Sequence, residues 1–198
     1  MKRKPSVRPL RTIVVCHGRS EVKIVEYLKQ NLRIPIEIMS ENKGKNSIQI
    51  GKSLDRFLNT YLSTKRQLDE LGEIEYVQKY PVKLKIFILM DLDDVNDSNM
   101  VDNYKNGKLF SKFKFAKSIV PLYNDGNLEE VIGSMGYNPP KHKRDKNKAY
   151  TRMFSDGGTV ESVEKFLEDC KKCKKTNMEL LVQHVINYAV EVGTYNKN

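Results

Sequence analysis

Five aspartates and no basic residue lie within residues 91–102, directly after the apolar run LKIFILM of residues 84–90. The first of them belong to the sequence Asp91-Leu92-Asp93-Asp94. Ligands of open α/β sheets bind beyond the carboxyl ends of the strands, and carboxylate oxygens are the ligands that Mg²⁺ prefers. Aspartate is also common in turns that follow strands. Because five aspartates exceed the need of a turn, Asp91 and Asp93 are predicted to approach one Mg²⁺ or Mn²⁺ ion.

A second polar element, His17-Gly18-Arg19-Ser20-Glu21, follows the β-branched run TIVVC of residues 12–16. Gly18 allows a tight turn, and Glu21 falls in the first turn of the helix predicted after it. If the two strands are neighbours in a parallel sheet, His17 or Glu21 reaches the Asp91 cluster. An imidazole there is able to donate a proton, accept one or bind a metal. A surface histidine in a turn is the alternative interpretation.

Apolar runs and helical periodicity alternate through residues 12–135. Strands are predicted over residues 12–16, 34–39, 84–90 and 118–123, with amphipathic helices between them. This alternation predicts an α/β fold with a mostly parallel, Rossmann-like four-stranded sheet flanked by helices. Two further apolar stripes within residues 160–192 predict a C-terminal helical appendage that packs on the sheet.

The composition indicates a soluble, cytoplasmic protein. The chain has 198 residues, of which 39% are hydrophobic, and no run approaches the ~20 apolar residues of a membrane span. Three cysteines predict no disulfide framework, and the Cys170-x-x-Cys173 motif lacks a second ligand pair for a zinc site. The predicted division is a basic arm over residues 1–10, an α/β domain over residues 11–137, and a basic loop with two helices over residues 138–198.

Basic residues are clustered and give the chain a net charge of +10. Residues 105–117 carry five lysines and no acid, and residues 141–152 carry six bases against one aspartate. Such segments hold nucleic-acid backbones, although lysine-rich loops also keep proteins soluble. The predicted nucleic-acid contacts are Lys43, Lys45, Lys108, Lys112, Lys114, Lys143, Arg144 and Lys146. Aromatic residues between these bases are candidates for base stacking, namely Tyr104, Phe110 and Tyr150, whereas Phe113 and Phe115 are assigned to the core.

Together, the polar element of residues 17–21 and the aspartate cluster that begins at Asp91 resemble the Toprim fold of topoisomerases, bacterial primases and OLD-like nucleases. The Toprim pattern is a strand, then Glu-Gly-x-x-(Asp/Glu), and later a strand followed by Asp-x-Asp. Gly18, Glu21, Asp91 and Asp93 match this pattern, and His17 stands where the family has its lead glutamate. Glu129 resembles a further acidic position of small OLD-like members. The resemblance covers roughly residues 11–135.

The resemblance implies Mg²⁺-dependent phosphoryl transfer on nucleic acid by a small nuclease, in nucleic-acid processing or in defence against foreign DNA. Glu21, Asp91, Asp93 and Glu129 would bind the metal. Glu21, Asp91 and Asp93 would also form the catalytic set, with His17 in place of the glutamate. A bound metal neutralises phosphate charge and lowers the pKa of an attacking water.

Two alternative functions remain open. The histidine at position 17 favours a Toprim-like module that has lost catalysis and binds nucleic acid or a partner protein. A phosphatase-like enzyme would instead use Asp91 as nucleophile and Asp93 as acid/base. The sequence does not decide between DNA and RNA, or between a chain that acts alone, a homodimer and a complex with a larger partner protein.

Overall fold

The computed structural model describes residues 8–139 and 160–195. In this part of the chain, four parallel strands form the central sheet in the order β2-β1-β5-β6, and two short strands form an antiparallel hairpin. The strands are β1 (Thr12–Cys16), β2 (Glu37–Met39), β3 (Tyr76–Val77), β4 (Tyr80–Pro81), β5 (Lys85–Asp91) and β6 (Ile119–Asn124).

Helices cover both faces of the sheet. The described α-helices are α1 (Arg19–Leu32), α2 (Lys52–Tyr61), α3 (Lys65–Asp69), α4 (Ser98–Lys105), α5 (Leu128–Ser134), α6 (Val160–Lys172) and α7 (Glu179–Glu191). Within residues 8–139 and 160–195, no helix is long and apolar enough to cross a membrane. The predicted fold class, an α/β fold with a parallel four-stranded sheet and C-terminal helices, is confirmed.

Strand β5 is apolar on both faces because both faces are buried. Phe87 and Leu89 pack with α1 and the helices α5 to α7, whereas Ile86 and Ile88 pack with α2 and the residues around α4. The neighbouring strand β1 alternates in the same way. Successive side chains of a strand point to opposite faces, so one uninterrupted apolar run supplies two cores.

Strands β1 and β5 are neighbours, as the prediction for His17 and Glu21 required. Cys16 pairs with Leu89, and the His17 amide donates to the Leu89 carbonyl at 2.9 Å. Because both strands run in the same direction, the segment after β1 and the segment after β5 begin at the same edge of the sheet. This register places the two acidic elements beside each other.

The aspartate-rich segment contains a helix that the sequence interpretation missed. Helix α4 begins after Asp97, whose side chain accepts a hydrogen bond from the Asn99 amide at 2.9 Å. Aspartate is a preferred N-cap because its carboxylate satisfies an otherwise unpaired amide. Asp97 therefore caps a helix, and it is not part of the candidate metal site at Asp91.

The base-stacking assignment of Tyr104 and Phe110 is wrong. Both side chains are buried, and their ring centroids are 5.8 Å apart in an edge-to-face pair. Phe115 is buried and Phe113 packs partly buried against the same core, as predicted. The aromatic residues between the lysines of residues 105–117 therefore fill the core. Tyr150 lies outside the described residues.

Residues 175–177 cover the outer edge of β6. Thr176 forms an antiparallel bridge with Asn124, and the Asp125 amide donates to the Lys175 carbonyl at 2.6 Å. The Asn177 side chain accepts from the Tyr123 amide at 2.9 Å and donates to the Pro121 carbonyl at 3.0 Å. Polar groups of an edge strand that would otherwise be unpaired are satisfied in this way.

Replacing Tyr104 with Phe should lower the free energy of unfolding by ~1–3 kcal/mol. The buried Tyr104 hydroxyl lies 2.6 Å from the Ile88 carbonyl oxygen and 2.8 Å from that of Leu122, so its loss deprives buried strand carbonyls of a donor. Urea denaturation followed by circular dichroism measures the change. Tyr61→Phe, at an exposed ring, should leave the free energy unchanged, and equal values for the two variants would contradict the prediction.

Candidate functional site

Glu21 is held at the N-terminus of α1. Its Oε2 atom accepts a hydrogen bond from the amide of Gly18, the residue that caps the helix, at 2.8 Å. The side chain is only 2% exposed. A carboxylate near a helix N-terminus is stabilised by the unpaired amides and by the helix dipole. The Gly-x-x-Glu spacing thus fixes Glu21 at the sheet edge.

His17 is oriented by the backbone of Ile48. Its Nδ1 atom lies 2.9 Å from the Ile48 carbonyl oxygen, and the Ile48 amide donates to the His17 carbonyl at 2.9 Å. Because a carbonyl oxygen only accepts, Nδ1 carries a proton. In the neutral imidazole, Nε2 is then the acceptor. The ring therefore presents a nitrogen that is able to take up a proton.

Asp91 is the last residue of β5, and its side chain is bound by the next strand. Its Oδ1 atom accepts a hydrogen bond from Asn124 Nδ2 at 2.8 Å. Burial raises the pKa of Asp91, while the Asn124 hydrogen bond and the nearby His17 act in the opposite direction. Asp91 is thus a buried carboxylate that is held by Asn124 and lies close enough to the His17 imidazole to interact with it electrostatically.

Three carboxylates from three elements share this edge of the sheet. Burial raises the pKa of Glu21 to about 8, and the negative charges of Asp91 and Glu129 add to the increase. Glu129, in the first turn of α5, accepts a hydrogen bond from the Ser20 hydroxyl at 2.8 Å. The structure therefore brings His17, Glu21, Asp91 and Glu129 together. The repulsion among the three carboxylates makes the site attractive to a cation.

Asp93 occupies a different environment from Asp91. Its side chain is exposed, although its charge acts on Asp91 and raises the pKa of that carboxyl. Within the described residues, no three His, Cys, Asp or Glu side chains are grouped closely enough to hold a metal ion as they stand. The donor chemistry of Glu21, Asp91 and Glu129 suits a divalent cation.

The predicted basic contacts are distributed over separate parts of the chain. Lys43 and Lys45 are exposed and lie in or next to a 3-10 turn, Glu41–Gly44, that follows β2. Lys108, Lys112 and Lys114 are exposed in the connection that leads to the amino end of β6, whereas the carboxylates follow the carboxyl ends of the strands. Lys143, Arg144 and Lys146 lie outside the described residues.

Sequence reasoning missed the residues that position Asp91. Asn124 ends β6, and its Oδ1 atom lies 3.1 Å from the hydroxyl of Thr176, which is 52 residues further along the chain. The same hydroxyl lies 2.7 Å from the Tyr123 carbonyl oxygen. The position of Asn124 after an apolar strand was a usable signal, since the next strand ends at the same edge. No local pattern marks Thr176.

Replacing Thr176 with Val should lower the free energy of unfolding by ~1–3 kcal/mol. Valine has the same shape but leaves the Asn124 side chain and the Tyr123 carbonyl without the hydroxyl. Chemical denaturation measures the loss, and Thr176→Ser is the control because it retains the hydroxyl. A valine variant as stable as the serine variant would contradict the prediction.

Comparison of the chain with known proteins found no matching family model, no matching curated protein and no matching solved structure.

Proposed function

We propose that this chain is a small Toprim-like nuclease that catalyses metal-dependent phosphoryl transfer on nucleic acid. The observation that carries the proposal is the convergence of Glu21, Asp91 and Glu129 beyond the carboxyl ends of β1, β5 and β6. Each carboxylate has a hydrogen-bond donor, from Gly18, Asn124 and Ser20 respectively. Converging carboxylates at this edge of a parallel sheet are typical of cation and phosphate chemistry.

The residues of the site have complementary functions in this proposal. Glu21, Asp91, Asp93 and Glu129 would hold Mg²⁺ or Mn²⁺, which when bound neutralises phosphate charge and lowers the pKa of water. Asn124 holds Asp91 through one carboxylate oxygen. His17, with its Nδ1 proton directed to Ile48, offers Nε2 as the acceptor of a proton from the attacking water.

The basic surface supports a nucleic-acid substrate. The chain carries 35 lysines and arginines against 25 acidic residues, so polyanions are attracted over long distances. Lys43, Lys45, Lys108, Lys112 and Lys114 would contact phosphates without reading the sequence. Activity in the cytoplasm on foreign DNA or on RNA fits these features.

A second candidate function is a binding module without catalysis. His17 occupies the position of the lead glutamate of the Toprim pattern, and no three ligands are grouped for a metal within the described residues. Such a module would bind nucleic acid or a partner protein through the same basic surface. The phosphatase-like alternative stays a prediction, and a phosphoryl group trapped on Asp91 would distinguish it.

Cleavage of supercoiled plasmid DNA and of single-stranded RNA tests the proposal. We expect products with Mg²⁺ or Mn²⁺ and none with EDTA. Salt-sensitive binding of both substrates without cleavage would favour the binding module. Cleavage that persists in EDTA would contradict metal-dependent phosphoryl transfer.

A further inference from the structure

A cleft of about 620 Å³ opens between the edge strand β2 and helix α2. This volume lies within the range of ~300–1,000 Å³ that is usual for small-ligand sites. Its walls are Glu37–Met39 of β2, residues 40–43 of the following turn and one face of α2. That face consists of Ser53, Arg56, Phe57, Thr60 and Tyr61. None of these residues belongs to the group of carboxylates described above.

The cleft adjoins the candidate site through residues 41–48. Gly44 packs so closely on α1 that a Cβ atom there would lie 2.8 Å from the Arg19 Cα atom. Further along the same segment, Ile48 exchanges hydrogen bonds with His17. One continuous segment thus forms a wall of the cleft at one end and orients the imidazole at the other.

An aromatic ring is presented on the wall of the cleft. Tyr61 is 49% exposed, and its ring centroid lies 4.8 Å from that of Phe57, which is buried beneath it. Phe57 therefore packs against the Tyr61 ring, and about half of the Tyr61 surface remains accessible. A large aromatic surface of this kind suits the stacking of a nucleobase, because every base has a π-face.

The charged residues of the cleft suit both the phosphate and the base of a nucleotide. Lys43 and Arg56 are exposed bases that are able to bind phosphate, and Glu37 and Glu41 are carboxylates that are able to accept from base N–H groups. Asn42 and Lys43 have positive φ angles of 48° and 56°. Two successive non-glycine residues in this strained region are a feature that clusters at functional sites.

We infer that this cleft binds one unpaired nucleotide of a single-stranded nucleic acid, with the base against Tyr61 and the adjoining phosphates at Lys43 and Arg56. The inference takes its class of substrate from the proposed function and adds the site that holds the strand. A double helix is excluded from this site because the faces of its bases are covered by their neighbours in the stack.

Binding of a fluorescein-labelled single-stranded oligonucleotide, in EDTA and at low salt, tests the inference by fluorescence anisotropy. Tyr61→Ala should raise the Kd about tenfold, because loss of one aromatic stacking platform has an effect of this order. Tyr61→Phe retains the ring and should bind like the wild type. Tyr80→Ala is the matched control, because Tyr80 is also 49% exposed but lies on the hairpin strand β4, away from the cleft.

The outcomes separate this inference from the proposed nuclease activity. Tyr61-dependent binding without cleavage by the wild-type chain would support the cleft and overturn the nuclease. Cleavage by the wild type together with unchanged binding by Tyr61→Ala would overturn nucleotide binding in the cleft and leave the proposed nuclease activity standing. Equal losses in Tyr61→Ala and Tyr80→Ala, or tighter binding of a blunt duplex than of the single strand, would also overturn it.

Discussion

Asp91→Asn should reduce metal-dependent cleavage of nucleic acid by about a hundredfold or more. Asparagine has the shape of aspartate, and its Oδ1 atom still accepts the hydrogen bond from Asn124 Nδ2. The substitution therefore removes the negative charge at the end of β5 without removing the contact that holds the side chain. Initial rates of cleavage of supercoiled plasmid in Mg²⁺ and in Mn²⁺ measure the effect.

Asp94→Asn is the matched control for this variant. Asp94 lies in the turn that follows β5, has an exposed side chain and undergoes the same change of charge. The cleavage rate of this variant should therefore stay close to that of the wild type. Circular dichroism should show an unchanged fold for both variants. Full activity in Asp91→Asn would mean that the activity comes from another site or another protein.

Glu21→Gln should increase the free energy of unfolding at alkaline pH by an amount on the order of 2 kcal/mol or more. The folded chain keeps the Glu21 proton up to a pKa of about 8, whereas the unfolded chain loses it near the ordinary value of 4.5. Between these two values the folded state binds more protons than the unfolded state, so the contribution of Glu21 to stability falls as the pH rises. Glutamine removes this loss, and its side-chain oxygen still accepts from Gly18.

Urea denaturation at about pH 4 and at about pH 9 measures this difference, which should be small at the lower pH and large at the higher. Glu26→Gln, on the same helix, removes only a partly exposed ion pair with Lys23 and should change the free energy by less than ~1 kcal/mol. An equal effect of Glu21→Gln at both pH values would contradict the linkage. The same variant should cleave nucleic acid poorly, so stability and activity should change in opposite directions.

The sequence predicted the central strands because burial imposes a pattern on them. Four of the five residues 12–16 and six of the seven residues of the LKIFILM run are apolar, as expected for strands covered on both faces. Both strands are found within one residue of the predicted bounds. Strand β2 was predicted to begin at residue 34 and begins at Glu37, after Pro35, which has no amide to donate to a neighbouring strand. Short elements such as β3 and β4 carry too little periodicity to predict.

The sequence pattern itself predicted the site residues at or near the ends of the strands, whereas Glu129 was predicted from the resemblance alone. His17 follows β1, Glu21 lies in the first turn of the helix after it, and Asp91 ends β5. The order of the strands was therefore enough to bring them together. The contacts of Asn124 and Thr176 depend on how the C-terminal helices pack, and that packing is decided by tertiary contacts between distant parts of the chain. The sequence did not distinguish Asp97, which caps a helix, from the other four aspartates within residues 91–102.

The contact between Thr176 and Asn124 has a consequence for synthesis of the chain. All the strands of the sheet and every carboxylate of the candidate site leave the ribosome before residue 176 does. The hydroxyl that orients Asn124, and through it Asp91, arrives 52 residues after Asn124 itself. A nascent chain therefore displays the acidic residues before their orientation is fixed, and the site is completed only when translation has passed Thr176.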